Sequence, residues 1–315
     1  MLAAQIRSGL VETTHHGAVA VIGADGSLVA SSGDIDHPFF IRSSAKPFQA
    51  YVSQEVGAGL SPVELAMACA SHRGFPVHIA LIESMLGQVG LDEMSLQTPP
   101  DWPLAPAALH AVLRAGATER RRIWHNCSGK HAGFLRACIA RGWPVESYLS
   151  PDHPLQREVV AFTSELGGFP VEPVGVDGCG APVLRTTVRA MALMYSRLAV
   201  EDRFADVFAA MHRYPALVAA NGEGDAEIAV ATHSVAKGGA AGCLGVAVEG
   251  RLGIAVKSWD GLGQVANIGA VSAMTQLGVL TPTATNALDK VLSPEVLGGG
   301  RPVGRIEPRM ELTPA

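Results

Sequence analysis

The chain has 315 residues, 48% of them hydrophobic, and a mean hydropathy of +0.24, enough apolar material for a large core and well outside the disordered range. Its net charge is −5 and its pI is near 6.1. The densest basic run, Arg120 to Arg122, has Glu119 beside it, and nucleic-acid binding, which needs a sustained positive face, is discounted.

Met1 to Leu10 lacks the charged-then-apolar pattern of a secretory signal, and no long apolar stretch is free of charge, which predicts a cytoplasmic protein without a membrane span. Five widely spaced cysteines (Cys69, Cys127, Cys138, Cys179, Cys243) predict thiols of a reducing compartment, at least one of them free because the number is odd. Aromatic residues make up only 5% of the chain against 35 glycines, so the core is expected to pack small side chains with backbones close together.

In chain order, residues 17–31 read as a hairpin turning at Ala24, Asp25 and Gly26. Ser61, Pro62 and Glu64 stand as cap, first helical residue and third helical residue, a capping box that starts a helix. Helical periodicity continues over 75–88, 105–115, 130–141, 154–166, 184–199, 202–212 and 263–277. A second hairpin pairs Gly242–Val248 with Leu252–Lys257 around Glu249, Gly250 and Arg251, and Val303–Ile306 is the last predicted strand. Strands at both ends and a helical middle, about residues 44–220, predict an α+β fold: an antiparallel sheet built from both chain termini with helices packed on it, in one composite domain spanning 1–315.

The most informative stretch for chemistry runs from Arg42 to Phe48, between the extended Phe39–Ile41 and a helix. If Ser43 begins that helix, Lys46 lies at i+3 on the same face. A serine hydroxyl needs a base to become a nucleophile, and a lysine serves only when burial or a second cation leaves it neutral. The helix start also offers backbone N–H groups to an oxyanion. Ser-x-x-Lys alone is a weak signal, since a helix cap followed by a solvated lysine reads the same way.

Two further blocks, Asn126 to Gly133 and Val176 to Pro182, each place a thiol beside glycines, where a backbone can approach a ligand closely. Asp177 is a carboxylate suited to hold an ammonium. Ser71, at the end of the helix that Ser61 caps, is a second hydroxyl. Lys237 and Lys257 compete to stand beside it. Lys257 is preferred, because it ends the apolar run Ile254–Val256, whereas Lys237 precedes two glycines as in a flexible loop near solvent.

Taken together, these segments resemble the rhizobial-type L-asparaginases, the L-asparaginase II family, over nearly the whole chain. The blocks Asn126-Cys127-Ser128-Gly129-Lys130-His131 and Asp177-Gly178-Cys179-Gly180-Ala181-Pro182 carry most of the specificity. The resemblance implies a fold similar to the serine β-lactamases and glutaminases, and hydrolysis of free L-asparagine to aspartate and ammonia. It implies two serine–lysine pairs, matched here by Ser43 with Lys46 and by Ser71 with Lys257. Arg42, Asn126, His131 and Asp177 are then the substrate-binding candidates. The resemblance also implies a zinc ion held by Cys127, Lys130 and Cys179, which would modulate substrate binding without performing hydrolysis. No organic cofactor is expected, and a homodimer is the expected assembly. Rival readings are a penicillin-recognising hydrolase or peptidase of the same fold, against which the missing export signal weighs, and a non-enzymatic zinc or ligand-binding module.

Overall fold

Chain reversal begins at Ser8 (φ 48°) and Gly9 (φ 84°), the paired left-handed residues that favour a tight hairpin, in the computed structural model of the protein, which describes residues 1–315. They join β1 (Ala3–Arg7) to β2 (Leu10–His15). Next come β3 (Gly17–Gly23) and β4 (Leu28–Ser32), the first hairpin predicted from the sequence. A two-residue strand, β5 (Phe39–Phe40), leads through a 3₁₀ turn at Arg42–Ala45 into α1 (Lys46–Glu55).

The helical middle follows as α2 (Pro62–Cys69), α3 (Pro76–Gly87), α4 (Pro106–Arg114), α5 (Ser128–Arg141) and α6 (Pro154–Gly167). Four of these five place a proline at their first residue, where a missing N–H costs nothing. The Ser61 N–H donates to Glu64 Oε2 at 2.8 Å, closing the predicted capping box. Short strands β6 (Gly175–Val176), β7 (Pro182–Val183) and β8 (Arg185–Thr186) precede α7 (Val188–Val200), α8 (Ala205–Arg213), α9 (Pro215–Val218) and α10 (Gly224–Ala231). After them run β9 (Ser234–Gly239), β10 (Cys243–Val248) and β11 (Leu252–Ser258). The chain ends with α11 (Gly263–Gln276), α12 (Pro282–Ala287), α13 (Asp289–Leu292), β12 (Glu295–Gly298), β13 (Arg301–Pro308) and β14 (Thr313–Pro314).

The fold is α+β with antiparallel pairing, and its main sheet joins both chain ends in the order β14-β4-β3-β11-β10-β9. One difference from the sequence reading is a second sheet, β12-β13-β1-β2. Its strands carry little alternation because β2 is exposed at every residue but His15, so period-2 reading had nothing to detect. No helix is long and apolar enough to cross a membrane.

Alternation along the main sheet separates two apolar layers. Val19, Val21, Leu244, Val246, Ile254 and Val256 face a cluster with α11, whereas Ala18, Ala20, Val235, Ala247 and Ala255 belong to the larger cluster shared with the helical middle. Small residues on the second face let α7 lie almost on the sheet. A Cβ added to Gly253 would stand 2.1 Å from Ser196 N and 2.3 Å from Ala192 O, and one on Gly245 would stand 2.1 Å from the Tyr195 ring. All five cysteines are free and buried.

Gly253→Ala should therefore lower the unfolding free energy by about 2 kcal/mol or more, at the upper part of the overpacking range, because helix backbone and not a flexible side chain occupies the space. Urea denaturation checks this. An unchanged midpoint would mean that α7 moves off the sheet at little cost.

Candidate active site

Ser43 sits on a backbone that the fold holds in place. Arg42 before it is left-handed at φ 53°, a conformation that non-glycine residues keep only where the surroundings hold them. Here Ile41 N–H donates to Leu184 O at 3.0 Å, and Arg42 Nε donates to Asp177 Oδ1 at 2.8 Å. On the other side, Ser44 Oγ donates to Lys237 O at 2.9 Å, and Tyr195 OH donates to Ser44 O at 2.8 Å. The 3₁₀ turn is thus stitched to β9 and to α7.

Within such a turn, residues i and i+3 eclipse, so Lys46 follows Ser43 on one side as the spacing predicts. Lys46 is only 1% exposed. Its Nζ donates to Ala70 O at 2.6 Å and to Ser71 Oγ at 3.0 Å, and no hydrogen bond runs to Ser43. Ser71 reaches this point because α2 ends at Cys69 and the chain leaves extended from Ala70.

Ser43 and Ser71 open together on a polar cleft of about 510 Å³, whose walls include Arg73, Asn126, Asp225 and Lys237. That size lies within the range of small-molecule sites. Cations and carboxylates share the walls, and Arg73 Nη2 meets Glu223 Oε2 at 2.9 Å across the cleft.

The lysine that completes this cluster is Lys237. Reading it as part of a flexible loop is corrected by the fold: it lies in β9, 1% exposed, with Nζ donating to Gly238 O at 2.7 Å and standing 3.7 Å from Asp225 Oδ2. Burial pushes its proton affinity down to about 8, Lys46 adds to that push, and Asp225 opposes it. The two glycines after it are strand glycines that allow close approach. A Cβ on Gly239 would lie 3.0 Å from both Ile41 O and Ser44 Oγ. This explains why the motif reads as loop chemistry and folds as a strand against the Ser43 turn.

Lys257, the preferred partner for Ser71 on sequence grounds, is not in the cleft. It is 7% exposed, and burial lowers its proton affinity as expected. Its Nζ, however, donates to Ala241 O at 2.8 Å and to Ser258 O, and lies 5.0 Å from the Trp259 ring centre. β10 intervenes between its strand and β9, a separation of about 10 Å at the usual strand spacing.

The other candidates divide. Asn126 lines the cleft. Arg42 and Asp177 pair with each other beside Ser43, with Asp177 Oδ1 also accepting from Gly178 N–H at 2.8 Å. His131 is fully buried behind the cleft, its Nδ1 at 2.7 Å from Tyr148 OH. Tyr148 OH also accepts from Gln97 N–H at 2.9 Å, and burial pushes the His131 imidazole down to about 4. Glu223, Asp225 and Arg73 were not read as site residues. Glu223 and Asp225 lie in a glycine-rich turn, Gly222-Glu223-Gly224-Asp225, which looks like any loop, and Arg73 follows Ser71-His72 with no signal of its own.

Cys127, Lys130 and Cys179 do converge below the cleft. Lys130 Nζ donates to Cys179 Sγ at 3.3 Å. Cys127 Sγ donates to Asn126 Oδ1 at 3.4 Å; the neighbouring Cys179 pushes the Cys127 thiol up, while Cys127, Lys130 and His131 together hold the Cys179 thiol far below its usual range. No group of three or more His, Cys, Asp or Glu side chains is arranged to hold a metal. Two sulfurs and one amine still supply the three protein donors of an open zinc centre. The set fits such an ion once Cys127 and Lys130 lose their protons, the second against the pull of both sulfurs, which raises the Lys130 proton affinity.

Against known proteins, the family described as "L-asparaginase II" matches residues 3–308. No curated protein matches the chain. Among solved structures, one described as "Crystal Structure Analysis of Mglu in its glutamate form" is 16% identical with a TM-score of 0.48, covering 88% of this chain and 65% of its own. Another, "Probable glutaminase ybaS", is 16% identical with a TM-score of 0.46, covering 83% of this chain and 85% of its own. The chain thus spans somewhat under two thirds of the length of the first, and likeness at this level carries no argument about chemistry.

The chain has five lysines, so a ¹³Cε-lysine NMR titration resolves them individually. One signal should titrate near pH 8 and vanish in Lys237→Met. If that signal survives in Lys237→Met and is lost in Lys257→Met, the cleft lysine has been misassigned.

Proposed function

Since the chain belongs to the L-asparaginase II family and is therefore an amidohydrolase, we propose that it hydrolyses the side-chain amide of free L-asparagine through a Ser43 nucleophile and a serine–lysine proton relay. The observation that carries the reading is the meeting of two serines and two buried lysines at one polar cleft: Ser43 and Ser71 at its surface, Lys46 bonded to Ser71 at 3.0 Å, and Lys237 in the wall. A free amino acid carries one charge of each sign at its α-carbon, which agrees with a cleft walled by both cations and carboxylates.

In this mechanism Ser43 Oγ attacks the amide carbon as its proton passes to Lys46 Nζ. Backbone N–H groups of the Ser43 turn and the adjoining glycine strand stabilise the oxyanion. Ser71 and Lys237 carry the proton to the departing nitrogen, ammonia leaves, and a water deprotonated by the same relay releases aspartate. Asp177, oriented by Arg42, grips the α-ammonium through its second oxygen, and Asn126 holds the amide end. Asparagine over glutamine is the proposed preference.

Cys127, Lys130 and Cys179 are proposed to hold zinc. When bound, the ion supplies a fixed positive charge beneath the Asp177 loop that strengthens substrate binding. The reacting groups are serine and lysine, so no bond-making step needs the ion.

Ammonia release from asparagine and glutamine at matched concentration tests the substrate. Asparagine should turn over faster, and equal or faster release from glutamine would contradict the assignment. Ser43→Ala should abolish turnover in folded protein, a loss on the order of a millionfold when one member of a coupled catalytic unit is removed; activity within about tenfold of the parent would refute the nucleophile. Mild chelation should raise the KM for asparagine and leave kcat nearly unchanged. Complete loss of turnover in chelated, folded protein would contradict the modulating role.

A further inference from the structure

We propose that Asp225 is a positioning residue of this cleft: its carboxylate holds the Lys237 side chain in the wall beside Ser71, so that Lys237 and the Lys46–Ser71 pair exchange protons as one cluster. The inference rests on the reading of Lys237 as part of the serine–lysine relay.

The geometry begins with an unmet need. Lys237 has three N–H donors and is 1% exposed, and the hydrogen bond to Gly238 O uses one of them. A buried ammonium is strongly disfavoured without a counter-charge. Asp225 Oδ2, 3.7 Å away, lies beyond direct hydrogen-bond range, so it acts on Lys237 through space. The same Oδ2 accepts Gly238 N–H at 2.9 Å. The carboxylate is thereby fixed to the backbone of the residue that follows the lysine.

Asp225 cannot easily swing away. It stands in the first turn of α10, where the helix N-terminus favours a negative charge. Before it, Gly224 lets Asn267 of α11 pack against the backbone: a Cβ there would lie 2.1 Å from Asn267 Nδ2. Only 13% of the Asp225 side chain is exposed.

The other groups facing Lys237 set the direction of its effect. Lys46 on α1 and Arg73 after α2 repel its proton, while Asp225 and Cys127 at the head of α5 attract it. Cys69 on α2 and Cys243 on β10 are thiols whose own proton loss Lys237 favours. From α8, His212 meets the far end of the strand at Ser234 O. Asp225 is the one carboxylate among these groups. Removing its charge lowers the Lys237 proton affinity, so the lysine becomes neutral at lower pH, and activity that needs the neutral amine begins at lower pH.

Asp225→Asn is the test, because the amide oxygen still accepts Gly238 N–H while the charge is gone. In ¹³Cε-lysine NMR, the signal assigned through Lys237→Met should titrate about one pH unit lower, at the small end of the effect of a close opposite charge. The acid limb of kcat/KM for asparagine should move down by the same amount with KM nearly unchanged, and Asp225→Glu should restore both toward the parent. An unmoved Lys237 titration in folded Asp225→Asn overturns the proposal. So does a large rise in KM with an unmoved limb, which would make Asp225 a substrate contact. Should Asp225→Asn fail to fold by circular dichroism, Asp225→Ser also keeps an acceptor without charge. Failure of both would mark Asp225 as purely structural and overturn the proposal too. If the parent releases no ammonia from asparagine, the substrate reading fails on its own, and the NMR arm still decides the role of Asp225.

Discussion

Two lysine side chains, each 1% exposed, stand close enough that the charge of one lowers the proton affinity of the other. Water screens such a pair at a protein surface, but burial removes most of that screening. Burial first, and the Lys46 charge in addition, therefore make Lys237 give up its proton more readily than a surface lysine does. This constraint turns common residues into an acid–base site. Ser71 takes a hydrogen bond from Lys46 and lines the same cleft as Lys237, the arrangement on which the proposed proton relay rests.

Four segments distant in sequence must converge to bury those charges. The 3₁₀ turn and the first residue of α1 supply Ser43 and Lys46, the chain just after α2 supplies Ser71, β9 supplies Lys237, and α10 supplies Asp225. Close packing by small residues holds them at the needed spacing. Gly239 lets β9 touch the Ser43 turn, while Gly245 leaves room for Tyr195, whose hydroxyl holds Ser44 O at 2.8 Å. The scarcity of aromatic residues and abundance of glycine are thus tied to how near the sheet comes to α7 and to the serine turn.

Much of this was legible in the sequence, and the limits have physical causes. Hairpins with apolar alternation, helices with caps and the strand-rich ends all follow local rules, so β3–β4, β10–β11 and most helices were predicted within a few residues. Ser43 with Lys46 was legible because both lie in one turn. The β1–β2 hairpin was not, since its residues face solvent and only Ser8-Gly9 marked it. The choice between Lys237 and Lys257 depended on register. Both lysines sit on the sheet face that carries Val235 and Ala255, and only the strand order places one in the cleft and the other beside Trp259. Asp225 and Arg73 carry no local signal that sets them apart from ordinary loop residues, because their importance comes from what lies across the cleft.

The central claim is that Ser43 carries the acyl group while the lysine cluster moves the protons. Acid-quenching the enzyme during turnover of asparagine, followed by peptide mass spectrometry, tests it most directly. An aspartyl ester on the peptide containing Ser43 in the parent, diminished when Lys237 is replaced by methionine and absent in Ser43→Ala, is the predicted result. Turnover of asparagine with no adduct on Ser43 in either the parent or the Lys237→Met protein, or an adduct on Ser71 instead, would contradict it.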